Sequence, residues 1–110
     1  MKKVILLALT FGLLSISQVA FSSDDSAAQQ LKGTDWVKDV FVSPGHMNVG
    51  VIAGEKDWTS PMIARFVCGV LKSSGSNINL VRFVNIEQVV HQNQTPRDAE
   101  ISKFRCNDLM

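Results

Sequence analysis

Glycine and proline are scarce in this sequence, with 7 Gly and 3 Pro among 110 residues. That composition excludes collagen-like chains and long flexible linkers. Neither sign of charge dominates, because 11 Lys and Arg stand against 10 Asp and Glu and the net charge is +1. Without an excess of positive charge to neutralise phosphates, nucleic acid is not expected as a partner. Hydrophobic residues make up 45% of the chain, which favours one small globular domain over a wholly disordered chain.

Residues 1–22 have the three parts of a secretory signal peptide. Two lysines precede an apolar segment, 4–16, and Ala20 and Ser22 place small residues where a signal peptidase cleaves. The apolar segment is shorter than the roughly 20 residues that span a bilayer, so no stable membrane anchor is expected after cleavage. The sequence therefore predicts a periplasmic or secreted protein with a Gram-negative-type signal peptide.

Cysteine occurs only at Cys68 and Cys106. Two cysteines in an exported chain predict one intramolecular disulfide bond. The alternatives are a redox pair, half of a metal site, and unpaired or intermolecular thiols. The pair lacks the Cys-x-x-Cys spacing of catalytic dithiols, and a zinc site would need both histidines, His46 and His91, as further ligands. Neither histidine has a carboxylate at a ligand-like offset, so no metal or cofactor is expected.

The chain that follows the signal peptide divides into two parts. Segment 23–33 is polar and rich in Ala and Gln, and it is predicted to be a flexible leader, with one frayed helical turn as the alternative. Residues 34–110 are predicted to form a single α+β domain. It begins with strands over 36–42 and 48–53, which a Pro-Gly turn joins into a hairpin.

The clearest helix is predicted over 60–73. Thr59 or Ser60 can serve as its N-cap, and Pro61 suits the first helical position because its missing N–H is not needed there. Apolar residues then recur at three- and four-residue spacing and form a stripe about 180° wide on the helical wheel. This stripe, which is expected to cover the sheet, contains Met62, Ile63, Phe66, Val67, Val70 and Leu71.

The helical wheel places Cys68 almost opposite the apolar stripe. We therefore expect Cys68 to face away from the sheet, and the C-terminal segment that carries Cys106 to pack over the outer side or flank of the helix. A Thr-Pro pair at Thr95 repeats the helix-start pattern, which predicts a short helix over 96–105. A strand over 99–106 is the alternative.

A further strand is predicted over 78–86, where apolar groups on both faces indicate a central position. A strand, a helix and a strand in succession most simply form a crossover between parallel strands. The predicted fold is therefore α+β, a small mixed sheet in β-β-α-β-α order, covered by one main helix and closed by a single disulfide. Arg82 in this strand is expected to pair with a carboxylate, for which the candidates are Glu87, Asp98 and Glu100.

Two classes of function are compatible with these features. The first is a non-enzymatic exported protein of the bacterial envelope, a binding, accessory or inhibitor module that acts on another envelope protein. No set of a nucleophile and a base is evident, so no catalytic residue is predicted. The alternative is a small-ligand binder or minimal enzyme that uses loop 54–60, with Trp58, Thr59 and Ser60 at the start of the main helix. A capped helix with Trp58 packed as a hydrophobic staple is the structural explanation of the same residues.

Overall fold

The structure is a computed structural model that describes residues 22–109. In chain order its elements are α1 (Ser23–Lys32), β1 (Asp39–Ser43), β2 (His46–Val51), α2 (Pro61–Ser73), β3 (Leu80–Asn85), α3 (Ile86–His91), β4 (Glu100–Arg105) and α4 (Cys106–Leu109). The signal peptide predicted over 1–22 lies outside these residues except for Ser22. Among the described helices, none combines the length and the apolar character needed to span a membrane.

The four strands form one mixed sheet in the order β1-β2-β3-β4. Strands β1 and β2 pair antiparallel as a hairpin, and Gly45 in its turn has a φ of 77°, which glycine adopts without strain. Strands β2 and β3 pair parallel and are connected through α2, while β4 pairs antiparallel with β3 at the edge. The predicted α+β fold with a mixed sheet, a main helix and one disulfide is confirmed.

Local signals define the start and the end of α2. The Ser60 hydroxyl accepts a hydrogen bond of 3.3 Å from the backbone N–H of Met62, and Pro61 occupies the first helical position. At the other end, Gly75 has a φ of 79°, a conformation that stops the helix. The helix predicted over 60–73 is therefore confirmed to within one residue.

The orientation of α2 about its own axis differs from the prediction. Its buried residues are Ala64, Val67, Cys68 and Leu71, whereas Met62 and Phe66 are exposed. The buried face is displaced by about one residue step, roughly 100°, from the apolar stripe. The expectation that Cys68 faces away from the sheet was wrong, because Cys68 is buried in the core cluster. Apolar periodicity reports which residues can be buried, but the disulfide and the packing of α2 on its neighbours decide which residues are buried.

The C-terminal segment forms a strand and not the helix predicted over 96–105. Strand β4 pairs with β3, with Leu80 opposite Arg105 and Val81 opposite Phe104. The N–H and C=O groups along the free edge of β3 need hydrogen-bond partners. An extended segment supplies these partners from its own backbone, whereas a short helix uses its backbone groups internally. The alternative of a strand over 99–106 describes the segment correctly. The C-terminal packing on α2 is made by α4, where Cys106 is bonded to Cys68 across a Cα–Cα distance of 5.6 Å.

The flexible leader predicted over 23–33 is also corrected, because this segment forms helix α1. In the full chain the Ser22 hydroxyl accepts a 3.1 Å hydrogen bond from the backbone N–H of Asp25 and caps the helix, and the predicted cleavage after Ser22 removes this cap. Ala27, Ala28 and Leu31 are buried against the rest of the domain. The small alanine side chains let α1 approach β1 and α2 closely, so tertiary contacts stabilise a segment with a weak apolar pattern of its own.

The hydrophobic core lies between one face of the sheet and the helices α1 and α2. Val49 in β2 stands opposite Val40 in β1 and Phe83 in β3, so alternate residues of three strands point the same way. The same cluster contains Leu31 of α1, Val67 of α2 and both cysteines. The disulfide is therefore part of the core.

Helix α3 follows β3 without a loop and turns back over the other face of the sheet. The Asn85 side chain caps it by accepting a 3.1 Å hydrogen bond from the backbone N–H of Glu87. Ile86 then lies against Gly50, where a Cβ atom would come within 2.9 Å of the Ile86 Cδ1 atom. Glycine inside β2 permits this close packing.

A polar network crosses all four strands on this second face. The Asn48 side chain donates 2.9 Å hydrogen bonds to the Ser43 hydroxyl and to the backbone oxygen of Phe41. Its own oxygen accepts a 3.3 Å bond from Arg82 Nη1, and Arg82 Nε donates to Glu100 Oε1 at 2.9 Å. Asn48 and Arg82 are both buried. The predicted pairing of Arg82 with a carboxylate is confirmed, with Glu100 as the partner.

Arg82→Ala is expected to lower the free energy of unfolding by about 1–3 kcal/mol, because it leaves the buried Asn48 oxygen and the Glu100 carboxylate without their donor. Arg105→Ala is the matched control, since its contact with Asp108 is 3.9 Å long and both side chains are exposed. An exposed pair of this kind contributes about 0–1 kcal/mol. Urea unfolding at a constant m-value measures both changes. Equal losses for the two variants would contradict a structural role for the buried network.

Candidate functional site

Trp58, the aromatic residue of the predicted ligand loop, is a core residue. Only 2% of its surface is exposed, and its indole N–H donates a 2.9 Å hydrogen bond to the backbone oxygen of Ile52. Its ring packs against those of Trp36 and Phe83, with centroid distances of 5.5 and 5.6 Å. The ring therefore has no free face on which a ligand could stack, which matches the structural explanation of this residue.

Thr59 and Ser60 make hydrogen bonds within the loop and the helix start. The Asp57 carboxylate accepts hydrogen bonds from the Thr59 hydroxyl and from the Thr59 backbone N–H. These bonds, the side-chain one first, hold the pKa of Asp57 below its ordinary value because they favour the charged form. Ser60 caps α2. The ligand site in loop 54–60 stays a prediction, and the Asp57 carboxylate disfavours an anion at the two Thr59 donors that it already occupies.

The two histidines lie far apart in the sequence and in different elements. His46 begins β2, with its Nδ1 atom 3.1 Å from the backbone oxygen of Pro44, and His91 ends α3. Between residues 22 and 109, no three His, Cys, Asp or Glu side chains are grouped so as to hold a metal ion.

An exposed apolar surface lies on the outer side of α2, next to loop 54–60. We call it the α2 surface and define it by the side chains of Trp36, Met62, Ile63 and Phe66. Met62 is 70% exposed and Phe66 is 47% exposed, although both are large and apolar. Together with Lys56 and Ser60, these residues line a shallow groove of about 400 Å³. Exposed apolar side chains grouped beside a groove make this surface a candidate binding site.

The α2 surface rests on the core through a series of aromatic rings in contact with one another. The Phe66 ring meets the edge of the Trp36 ring at a centroid distance of 5.8 Å, and Trp36 packs on the buried Trp58. Trp58 in turn contacts Phe83 on the central strand β3. Because core side chains support Trp36 and Phe66 from behind, little conformational freedom remains for them to lose on binding.

The sequence identified the apolar residues of α2, but the wrong face of the helix was predicted to be buried. Met62 and Phe66 belong to the apolar stripe that was expected to cover the sheet, and both are exposed instead. A signal was available in Ala64 and Cys68, two small residues one turn apart. Their side of the helix can approach another element closely, and a disulfide from Cys68 requires such an approach.

No family model, no curated protein and no solved structure matches this chain. The Cys68–Cys106 disulfide indicates an oxidising, extracytoplasmic environment, because such bonds are rare where thiols are kept reduced.

Proposed function

We propose that this protein is a small exported protein of the bacterial envelope that binds another envelope protein without catalysing a reaction. It would serve as a binding, accessory or inhibitor module, and the α2 surface would be its contact site. The exposure of Met62 and Phe66 on a rigid aromatic support carries the proposal. The disulfide supports export, and the basic and apolar character of residues 1–22 supports a periplasmic destination.

The side chains of the α2 surface are of the types that dominate protein interfaces. Aromatic residues and methionine are enriched at interface centres, and tryptophan is among the commonest residues with a large binding contribution. Leaving Met62 and Phe66 in water forgoes the hydrophobic stabilisation that burial would provide. Covering them with a partner recovers that stabilisation, so the surface favours association.

The partner that fits this surface presents a short apolar segment next to a carboxylate. Lys56 is the charged side chain among the residues that line the groove, and an acidic group complements it. A large side chain such as an aromatic one buries about 150–250 Å² when it is fully covered, and the exposed fractions of Met62 and Phe66, 70% and 47%, leave roughly 200–300 Å² for the two together. A stable interface needs about 800 Å² on each partner. Met62 and Phe66 supply only part of such an area, and their place beside a groove suits an inserted segment better than a flat pairing with a second copy.

Site-specific crosslinking in the producing cells tests this proposal. A photoreactive amino acid replaces Met62, and in the matched control it replaces Val90, which is 58% exposed on α3 and outside the groove. Position 62 is expected to yield a crosslink to one envelope protein that position 90 does not yield. Crosslinks to a second copy of this chain, or equal crosslinks from both positions, would overturn the proposal.

Binding measurements with the identified partner complete the test. Phe66→Ser is expected to raise the Kd by about 30-fold, as truncation of a central aromatic residue does. Lys56→Glu is expected to raise it as well, because it places like charges together. Val90→Ser is the control and should leave the Kd unchanged. If Phe66→Ser also leaves it unchanged, the α2 surface is not the contact site.

A further inference from the structure

We propose that Met62 is a site of reversible oxidation, and that its sulfoxide converts the α2 surface from an apolar contact site into a polar one. The first half of the proposal concerns the chemistry of Met62 alone. The second half, the control of docking, rests on the proposed function.

The two methionines among the described residues have opposite environments. Met62 is 70% exposed in the first turn of α2, whereas Met47 is fully buried in β2. Oxidants in solution reach an exposed thioether more readily than a buried one. Met62 is therefore open to attack in the folded protein, and Met47 becomes accessible only when the core opens.

The reaction is a two-electron oxidation of the Met62 thioether by a peroxide, the oxidant class we name for this step. A lone pair on sulfur attacks one peroxide oxygen, the O–O bond breaks and an S–O bond forms. With hydrogen peroxide, the second oxygen leaves as water after proton transfer. Sulfur is oxidised to the sulfoxide and the peroxide is reduced. Methionine sulfoxide reductases reverse the change.

The position of Met62 within the apolar groove explains why its sulfoxide makes the α2 surface polar. Met62 and Phe66 are one helical turn apart on the same side of α2, and both line the groove beside Trp36. A sulfoxide oxygen there is a strong hydrogen-bond acceptor inside an apolar patch. A partner that covers it must remove its bound water without replacing the hydrogen bonds, which weakens association. The fold itself is spared, because the Met62 side chain is mostly outside the core.

The first measurement maps oxidation by mass spectrometry on the folded, disulfide-bonded protein treated with hydrogen peroxide. The Met62 peptide is expected to gain one oxygen well before the Met47 peptide does. In urea, where the chain is unfolded, the two are expected to react at equal rates. Equal rates in the folded protein would overturn the assignment of Met62 as the site.

The second measurement follows the α2 surface with the dye 1-anilinonaphthalene-8-sulfonate, whose apolar rings and anionic group match the groove and Lys56. Oxidation is expected to weaken dye binding about ten-fold or more, and a methionine sulfoxide reductase is expected to restore it. Met62→Leu should bind the dye and be insensitive to peroxide, while Met62→Gln should resemble the oxidised protein. Unchanged dye binding after complete oxidation of Met62 would overturn the conversion of the surface.

The outcomes separate this inference from the proposed function. Selective oxidation of Met62 with weakened dye binding supports the modification site whatever the partner is. If Phe66→Ser then leaves partner binding unchanged, the proposed function fails while the modification site stands. If Phe66→Ser weakens partner binding but the sulfoxide does not, the control of docking is overturned and the proposed function stands.

Discussion

Replacing both Cys68 and Cys106 with alanine is expected to lower the free energy of unfolding by about 4 kcal/mol. The disulfide links residues 38 positions apart, and in the chain-entropy model a closed loop of that length restricts the unfolded chain by about this amount. For a domain of this size the loss is a large part of the total stability. Chemical denaturation of the oxidised protein and of the double variant measures the difference.

Reduction is expected to loosen the C-terminus before the rest of the domain. Besides the disulfide, α4 is held by two hydrogen bonds to Asn79 and one from Arg65 to the backbone oxygen of Leu109. Strand β4 pairs with β3 on both sides of a register shift between Phe83 and Val84, and the central strands are paired on both sides. Hydrogen exchange should therefore rise first in α4, next in β4 and last in β2 and β3.

The matched control for reduction is the double alanine variant, whose exchange pattern should not respond to reductant. A uniform loss of protection in the reduced wild-type protein would show that the disulfide stabilises the whole fold cooperatively. Free thiols in the exported protein, detected by mass spectrometry, would contradict the bond itself.

Trp58→Ala is expected to cost about 3–5 kcal/mol of stability, the range for removing a large aromatic side chain from a core. The variant leaves a cavity between Trp36 and Phe83 and removes the hydrogen bond to the backbone oxygen of Ile52. It also removes the support behind the α2 surface. Thermal and urea unfolding measure the stability, and dye binding measures the surface.

Trp58→Phe separates the two contributions of this side chain. It keeps most of the packing and loses the hydrogen bond, so we expect a cost of about 1–3 kcal/mol. Met62→Ala is the control for position, because its exposed side chain should contribute less than about 0.5 kcal/mol. If Trp58→Ala costs no more than Met62→Ala, Trp58 is not a core residue, and the ligand-binding prediction for loop 54–60 gains weight.

Some elements could be predicted because their signals are local. The turn after β1 follows from Pro44 and Gly45, and the start of α2 follows from Ser60 and Pro61. In each case the hydrogen bonds and backbone dihedral angles that form the turn or the helix start involve residues only a few positions apart. The pairing of Cys68 with Cys106 was predictable for a different reason. The chain has two cysteines, and two cysteines permit only one intramolecular bond.

Other elements were decided by partners far along the chain. Segment 96–105 carries a helix-start pattern, yet it contains a strand because it pairs with the open edge of β3. Segment 23–33 has a weak apolar pattern, yet contacts with β1 and α2 stabilise it as a helix. Short segments have little intrinsic preference, so the tertiary contacts that they can reach determine their structure.

Helix α2 at the candidate site shows most clearly which features depend on local signals and which depend on tertiary contacts. The sequence by itself determined that α2 forms, where it begins and which of its residues are apolar, since capping and helical periodicity are properties of the local chain. Only the tertiary structure decided that Ala64 and Cys68 face the core and that Met62 and Phe66 face solvent. The reason is that rotation of a helix about its axis leaves its backbone hydrogen bonds unchanged. Packing with α1, α4 and the sheet, together with the covalent bond to Cys106, selects one rotation.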